Sequence, residues 1–218
     1  MNILLEDKYL LICEKPAGIP AQSNGREDLV SLVSEYINAQ AYIINRLDQP
    51  VGGLVLFAKD KKTAALLTEK LQSNQIDKYY MAVVCGETKN QEYVETYLFH
   101  NKRENASKVV NKGSLGAKLS KLEYKKINCV NSEYGVLTLV KIKLLTGRHH
   151  QIRAQMASMG NGLFADMKYN RKMSFKRGLN LGLYSCGLEF THPYTGKEIN
   201  INIKPVGVAF DYFQGEIL

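Results

Sequence analysis

Asp48 stands in the run Asn45-Arg46-Leu47-Asp48-Gln49-Pro50-Val51-Gly52-Gly53, a lone carboxylate two residues from an arginine. The apolar pair Ile43-Ile44 precedes it and Leu54-Val55-Leu56-Phe57 follows. The acid therefore falls on a short constrained loop between β-type segments, not on a solvated helix face. A nucleophile or an ion-pair partner fits such a place, as does an Asp that only caps backbone N–H groups in a turn. A second cluster, Arg148-His149-His150 with Arg153, opens a helical pattern in which Ile152, Met156 and Met159 recur on one face. Unpaired N–H groups at a helix start already favour anions, and cations placed there suit a phosphate or carboxylate ligand better than a bare surface. The His149-His150 pair does not suit a metal, since adjacent helical residues point about 100° apart and no third ligand lies at a useful offset. In Lys78-Tyr79-Tyr80-Met81-Ala82-Val83-Val84, two consecutive tyrosines on a strand send one ring inward and one outward.

These residues need elements to hold them. Tyr9 to Cys13 reads as a strand, broken by Lys15-Pro16-Ala17-Gly18-Ile19-Pro20. Leu29 to Ile37 has helical spacing, and Leu54 to Ala58 is an apolar strand of the kind buried on both faces. Asp60 suits the N-cap of a helix over Lys61 to Ser73, with Ala64, Leu67 and Leu71 on one face. Tyr79–Val84, Tyr93–Phe99, Leu119–Ile127 and Val136–Leu144 read as strands, the last two joined by a turn within residues 131–135. The strand ending at Leu144 enters the helix after Arg148 through a basic turn, and Gly160 suits that helix's C′ position. Many non-local strands with few helices indicate an α+β fold on a mostly antiparallel or mixed sheet.

With 218 residues and no Pro, Gly or Ser-rich linker, the expectation is one continuous core, a single domain over residues 1–218. The start Met1-Asn2-Ile3-Leu4-Leu5-Glu6-Asp7 lacks the form of a signal peptide, and no apolar run spans a bilayer, so a cytoplasmic chain without membrane attachment is expected. Cys13, Cys85, Cys129 and Cys186 lie far apart and read as reduced thiols. The net charge of +8 draws polyanions, nucleic acid first, because lysines and arginines that neutralise phosphates release counterions. The phosphate-cradling, dinucleotide, nucleophile-elbow and H-E-x-x-H motifs are all missing, which removes the common nucleotide-hydrolysing, redox and hydrolase mechanisms.

Taken in order, Asn45-Arg46-Leu47-Asp48 with Gly53-Leu54-Val55-Leu56-Phe57-Ala58-Lys59, Lys78-x-Tyr80-x-Ala82-x-Val84-x-Gly86, Thr146-Gly147-Arg148-x-His150-Gln151-Ile152-Arg153 and Asp166-x-x-Tyr169 resemble the motif set of the RluA-type RNA pseudouridine synthases. Lys15-Pro16-x-Gly18 and Leu188-x-Phe190-x-His192-Pro193 resemble that family's flanking signatures. The resemblance runs over nearly the whole chain. It implies the pseudouridine synthase fold, a mixed, mostly antiparallel central sheet with flanking helices and an RNA-binding cleft, without the extra N-terminal S4-like domain of some members. It further implies that uridines in ribosomal or transfer RNA are flipped out, cleaved at C1′–N1, rotated and rejoined through C5.

By the same resemblance Asp48 matches the essential aspartate, Tyr80 the tyrosine that packs on the flipped uracil, and Arg153 the basic residue that pairs with the aspartate. An arginine within about 4 to 6 Å would keep a buried aspartate charged. Arg46, Arg148 and His150 match RNA-contacting positions, with Arg46 helping to displace the target nucleotide. An isomerisation needs no cofactor or metal, and a monomer acting on RNA alone is expected. Three sites depart from the family pattern: Asn45 replaces a His, Val51-Gly52-Gly53 replaces Thr-Ser-Gly, and Leu183-Tyr184-Ser185 replaces Leu-His-Ala. They bear on which RNA is chosen. Competing readings are an inactive RNA-binding or ribosome-assembly factor on the same fold, and a sugar-cleaving hydrolase. For the second, Asp166 is the only motif-borne second acid, and it reads as a structural loop residue.

Overall fold

A computed structural model describes residues 1–23, 27–173 and 179–216. In chain order the elements are β1 (Asn2–Glu6), β2 (Leu10–Lys15), α1 (Leu29–Tyr36), β3 (Tyr42–Ile43), β4 (Gly52–Ala58) and α2 (Lys61–Gln72). They continue with β5 (Ile76–Cys85), β6 (Gln91–Asn101), β7 (Ala106–Val110), β8 (Lys118–Ser132), β9 (Gly135–Leu144) and α3 (Gln151–Ser158). A 3₁₀ turn (Arg171–Met173), β10 (Leu183–Thr191), β11 (Glu198–Asn202) and α4 (Val208–Asp211) complete the chain. Contacts group it into two compact units, Met1–Lys78 with Tyr184–Pro205, and Tyr79–Leu183 with Val206–Leu218.

In the first unit β4 is the central strand. It pairs antiparallel with β2 and β3 and parallel with β10, while β1 and β11 extend the sheet from β2 and β10. Every residue of β4 is buried, as its unbroken apolar run predicts. Leu10, Ile12, Leu54, Leu56 and Ala58 line one face and meet Leu67 of α2, with Ala64 and Leu71 beside it. Burying Leu67 alone contributes about 2 kcal/mol. Both helices of this unit begin where the sequence expects, because Asp28 and Asp60 accept the Ser31 and Thr63 N–H groups through their side chains.

The second unit carries the antiparallel order β5-β9-β8-β6-β7. The β8–β9 hairpin is tighter than residues 131–135 suggest, since Ser132 pairs with Gly135, which takes a φ of +88° that favours glycine. Helix α3 is tied to the sheet by Gln155, whose Nε2 donates to Thr96 Oγ1 at 2.9 Å. Met159 closes α3 and Gly160 follows at φ +85°, the expected left-handed C′ position. The α+β class and the mixed, mostly antiparallel pairing agree with the sequence expectation. Strands β1, β3, β7, β10 and β11 carry no clear signal of their own: they are short, or, like β10, buried almost throughout and without alternation. Among the described residues no helix is long and apolar enough to cross a membrane.

Candidate active site

Asp48 lies partly buried on the loop between β3 and β4, and its carbonyl accepts the Val51 N–H at 3.0 Å to close a turn over Gln49-Pro50. The loop is held from below by Lys15, a side chain with no exposed surface. Lys15 Nζ donates to the carbonyls of Pro16, Ile19 and Gln49 at 3.0, 2.7 and 3.1 Å. Gly18 N–H donates to the same Gln49 carbonyl at 2.8 Å, so the Lys15–Pro20 loop and the Asp48 loop are one structure. Burial pulls the Lys15 ammonium down to about 8, against the attraction of the Asp48 carboxylate, which holds it up. The motif Lys15-Pro16-x-Gly18 marked this region, but nothing local reveals that Lys15 is buried, because Gln49, one of its acceptors, lies 34 residues away.

Asn45, where the family pattern has a His, is buried and bridges β4: its Nδ2 donates to the Leu54 carbonyl at 3.2 Å and its Oδ1 accepts Leu56 N–H at 2.8 Å. It continues the strand ladder into the loop, the loop role open to an amide. Arg46 beside it is exposed. Gly53, at φ +116°, admits no side chain, since a Cβ there would fall on the Ser185 carbonyl.

In the second unit Tyr80 is 6% exposed on β5 opposite Ile142 of β9, while Tyr79 faces the other side under the ammonium groups of Lys141 and Lys143. The one-in, one-out expectation for this pair therefore holds. Arg153 donates through Nε and Nη2 to Asp166 at 2.8 Å each, a bidentate buried pair with side chains 8% and 0% exposed. Asp166 Oδ1 also accepts the N–H groups of Lys168 and Tyr169 at 3.0 and 3.1 Å, so it orders its own loop. Its reading as a structural loop residue omitted that the arginine it holds is the one singled out for chemistry. The Tyr169 ring completes the group, with the guanidinium carbon 5.0 Å from its centroid.

His149 and His150 do not splay apart. They precede α3 instead of lying within it, and the left-handed backbone of His150, φ 50°, folds the two rings into a stack 3.7 Å apart. His100 stacks on the far side of His149 at 3.9 Å. His150 Nδ1 lies 2.8 Å from the Tyr169 hydroxyl, which also accepts the Ser107 N–H at 2.7 Å. Burial, reinforced by the Arg153 charge, pushes His150 down to about 3, so at neutral pH the ring carries no charge. Tyr169 thus joins His150 to Arg153. Arg148, in contrast, is exposed, with Nε on the Leu119 carbonyl at 3.1 Å and its N–H on Gln151 Oε1 at 3.0 Å.

A stability effect follows from His150. An unfolded chain takes up a proton near 6.5 that the folded chain refuses until about 3, so the unfolded state binds more protons across that window. Stability is full above the upper value and is lost as pH falls toward the lower. Denaturant midpoints measured at several pH values should show this slope, and His150→Gln should flatten it; an unchanged slope would remove His150 as its source.

Comparison with known proteins gives one consistent result. The profile of the family described as RNA pseudouridylate synthase matches residues 9–158. The tRNA pseudouridine synthase C of Haemophilus ducreyi is 28% identical over 222 residues, covering 93% of this chain and 90% of the relative. The ribosomal large subunit pseudouridine synthase C of Pasteurella multocida is 30% identical over 213 residues, covering 92% of this chain but only 63% of the relative. Among solved structures, human RNA pseudouridylate synthase domain containing 1 shares the fold with a TM-score of 0.79 at 17% identity, over 94% of this chain and 83% of that one.

Proposed function

The chain belongs to the RNA pseudouridylate synthase family, and from that membership we propose that it isomerises specific uridines of ribosomal or transfer RNA to pseudouridine. The observation that carries this reading is the family match over residues 9–158, which includes Asp48, Tyr80 and Arg153. The reaction breaks C1′–N1, forms C1′–C5, releases the C5 proton and returns one to N1, so it needs neither an electron acceptor nor a hydrolytic water. Asp48 is the carboxylate that acts on the uridine, Tyr80 stacks on the uracil, and Arg153 supplies positive charge to the reacting group. What supports these roles is the support each residue receives: Asp48 on a loop gripped by Lys15, Tyr80 on a central strand, and Arg153 fixed by Asp166. Arg46 and Arg148, both exposed, fit phosphate contacts. His150, buried and uncharged, acts on RNA through the side chains it orients, Tyr169 first.

The two compact units work as one catalytic domain, a cytoplasmic monomer with RNA as its partner. Extruding a base costs a few kcal/mol, which stacking and phosphate contacts offset. The relatives named for transfer RNA and for the large ribosomal subunit bracket the substrate, and a direct test separates them. Pseudouridines are mapped in total RNA from cells with and without this protein, and in transcripts treated with the purified protein. Loss of defined sites in the first and their appearance in the second is expected; identical maps would refute the proposal. Affinity for the modified RNA should also fall by about a thousandfold between about 50 and 200 mM salt, because the +8 chain binds by releasing counterions. Filter binding across that range checks it, and a salt-independent affinity would argue against RNA as the partner.

A further inference from the structure

Gly52 opens β4 immediately after the Asp48–Val51 turn, and it pairs in parallel register with Tyr184 of β10. Its backbone does not require glycine, since it lacks the positive φ of Gly53. The tyrosine ring does. A Cβ at position 52 would lie 2.6 Å from Tyr184 Cε2, with Cδ2 and Cζ at 3.2 and 3.3 Å. The ring has little room to yield, being 3% exposed, and its hydroxyl donates to Glu14 Oε1 at 2.5 Å. Burial and the Glu14 carboxylate both push the phenol up, so it remains a donor at physiological pH. Glu14 is followed in β2 by Lys15, whose ammonium holds the Gln49 carbonyl. Two consecutive residues of β2 therefore grip the Asp48 turn from its two ends, one through Gln49 and the other through Tyr184 and Gly52.

We propose that Tyr184 is a positioning residue for Asp48, and that Gly52 and Tyr184 are a matched pair in which the absence of a side chain at one makes room for the ring at the other. Both positions depart from the pattern that the chain otherwise follows, and the geometry makes the two departures a single change. The inference rests on the reading of Asp48 as the reacting carboxylate. The ring packs on the first residue after the turn, and the Glu14 bond fixes the ring, so the direction in which the turn presents Asp48 is set by a contact outside the turn. A displacement of about 1 Å in a reacting group costs about a hundredfold in rate, which makes such a contact matter.

The test compares Gly52→Ser, Tyr184→Phe, Tyr184→His and the double variant Gly52→Ser with Tyr184→His, on the RNA that the wild-type chain modifies. Tyr184→Phe keeps the ring and removes the Glu14 bond. It should lower kcat about tenfold with KM and thermal midpoint near wild type. Gly52→Ser should lose about a hundredfold in kcat and lower the midpoint, and adding Tyr184→His, a shorter ring, should return most of both losses. If Gly52→Ser does not fold, recovery of folding in the double variant reports the same coupling. Wild-type kcat in Tyr184→Phe, a Gly52→Ser protein that is fully active, or losses that simply add in the double variant would overturn the proposal. Asp48→Asn is assayed beside them. Activity there overturns the role of Asp48, whereas the midpoints of the Gly52 and Tyr184 variants report their pairing whatever Asp48 does.

Discussion

Asp48→Asn is expected to abolish pseudouridine formation while leaving RNA binding unchanged or slightly tighter. The amide keeps the shape of the side chain and its turn, whose closing bond is made by the Asp48 carbonyl and not by the carboxylate. What is lost is the negative charge, which a nucleophile or base requires. Phosphate contacts dominate affinity for nucleic acid, and one carboxylate fewer among phosphates weakens none of them. Product is measured by mapping the modified site after prolonged incubation, and binding by titration at fixed salt. Modification at the native rate would transfer the argument to the assembly-factor reading, in which the fold binds RNA without chemistry.

Asp166→Asn is expected to cost about 3 kcal/mol or more of stability, because breaking a buried ion pair takes from the Arg153 guanidinium its bidentate acceptor. Both Arg153 hydrogen bonds to Asp166 and the two backbone N–H groups of its loop depend on that carboxylate. For a chain of this length the midpoint should fall by roughly 6 to 12 °C. Replacing Arg153 by Met in the same protein should recover part of the stability but none of the activity, since the buried guanidinium that lost its bidentate acceptor is gone. Calorimetry on the two single variants and the double variant measures the coupling. A loss below about 1 kcal/mol in Asp166→Asn would show that the pair does not hold this loop.

The sequence alone determined what depends on neighbours within a few positions. Asp60 caps α2 because a short side chain can reach the N–H three residues on, and Gly160 ends α3 because only glycine enters the left-handed region without cost. The apolar run at Leu54–Ala58 became the buried central strand for the same local reason. The order of motifs that carry Asp48, Tyr80 and Arg153 was likewise legible, and with it the family. The tertiary structure decided the partners. Lys15 is buried because a carbonyl 34 residues away completes its coordination. Arg153 is held by Asp166, the acid set aside as a loop residue, and His149 stacks on His150 because the chain turns left-handed before α3 begins. Gly52 reads only as part of a departure that bears on the choice of RNA until Tyr184 is seen across the strand pair. Periodicity and capping act through one stretch of backbone, whereas charge pairing, ring stacking and steric matching act through space, and only the folded chain says which distant residues share it.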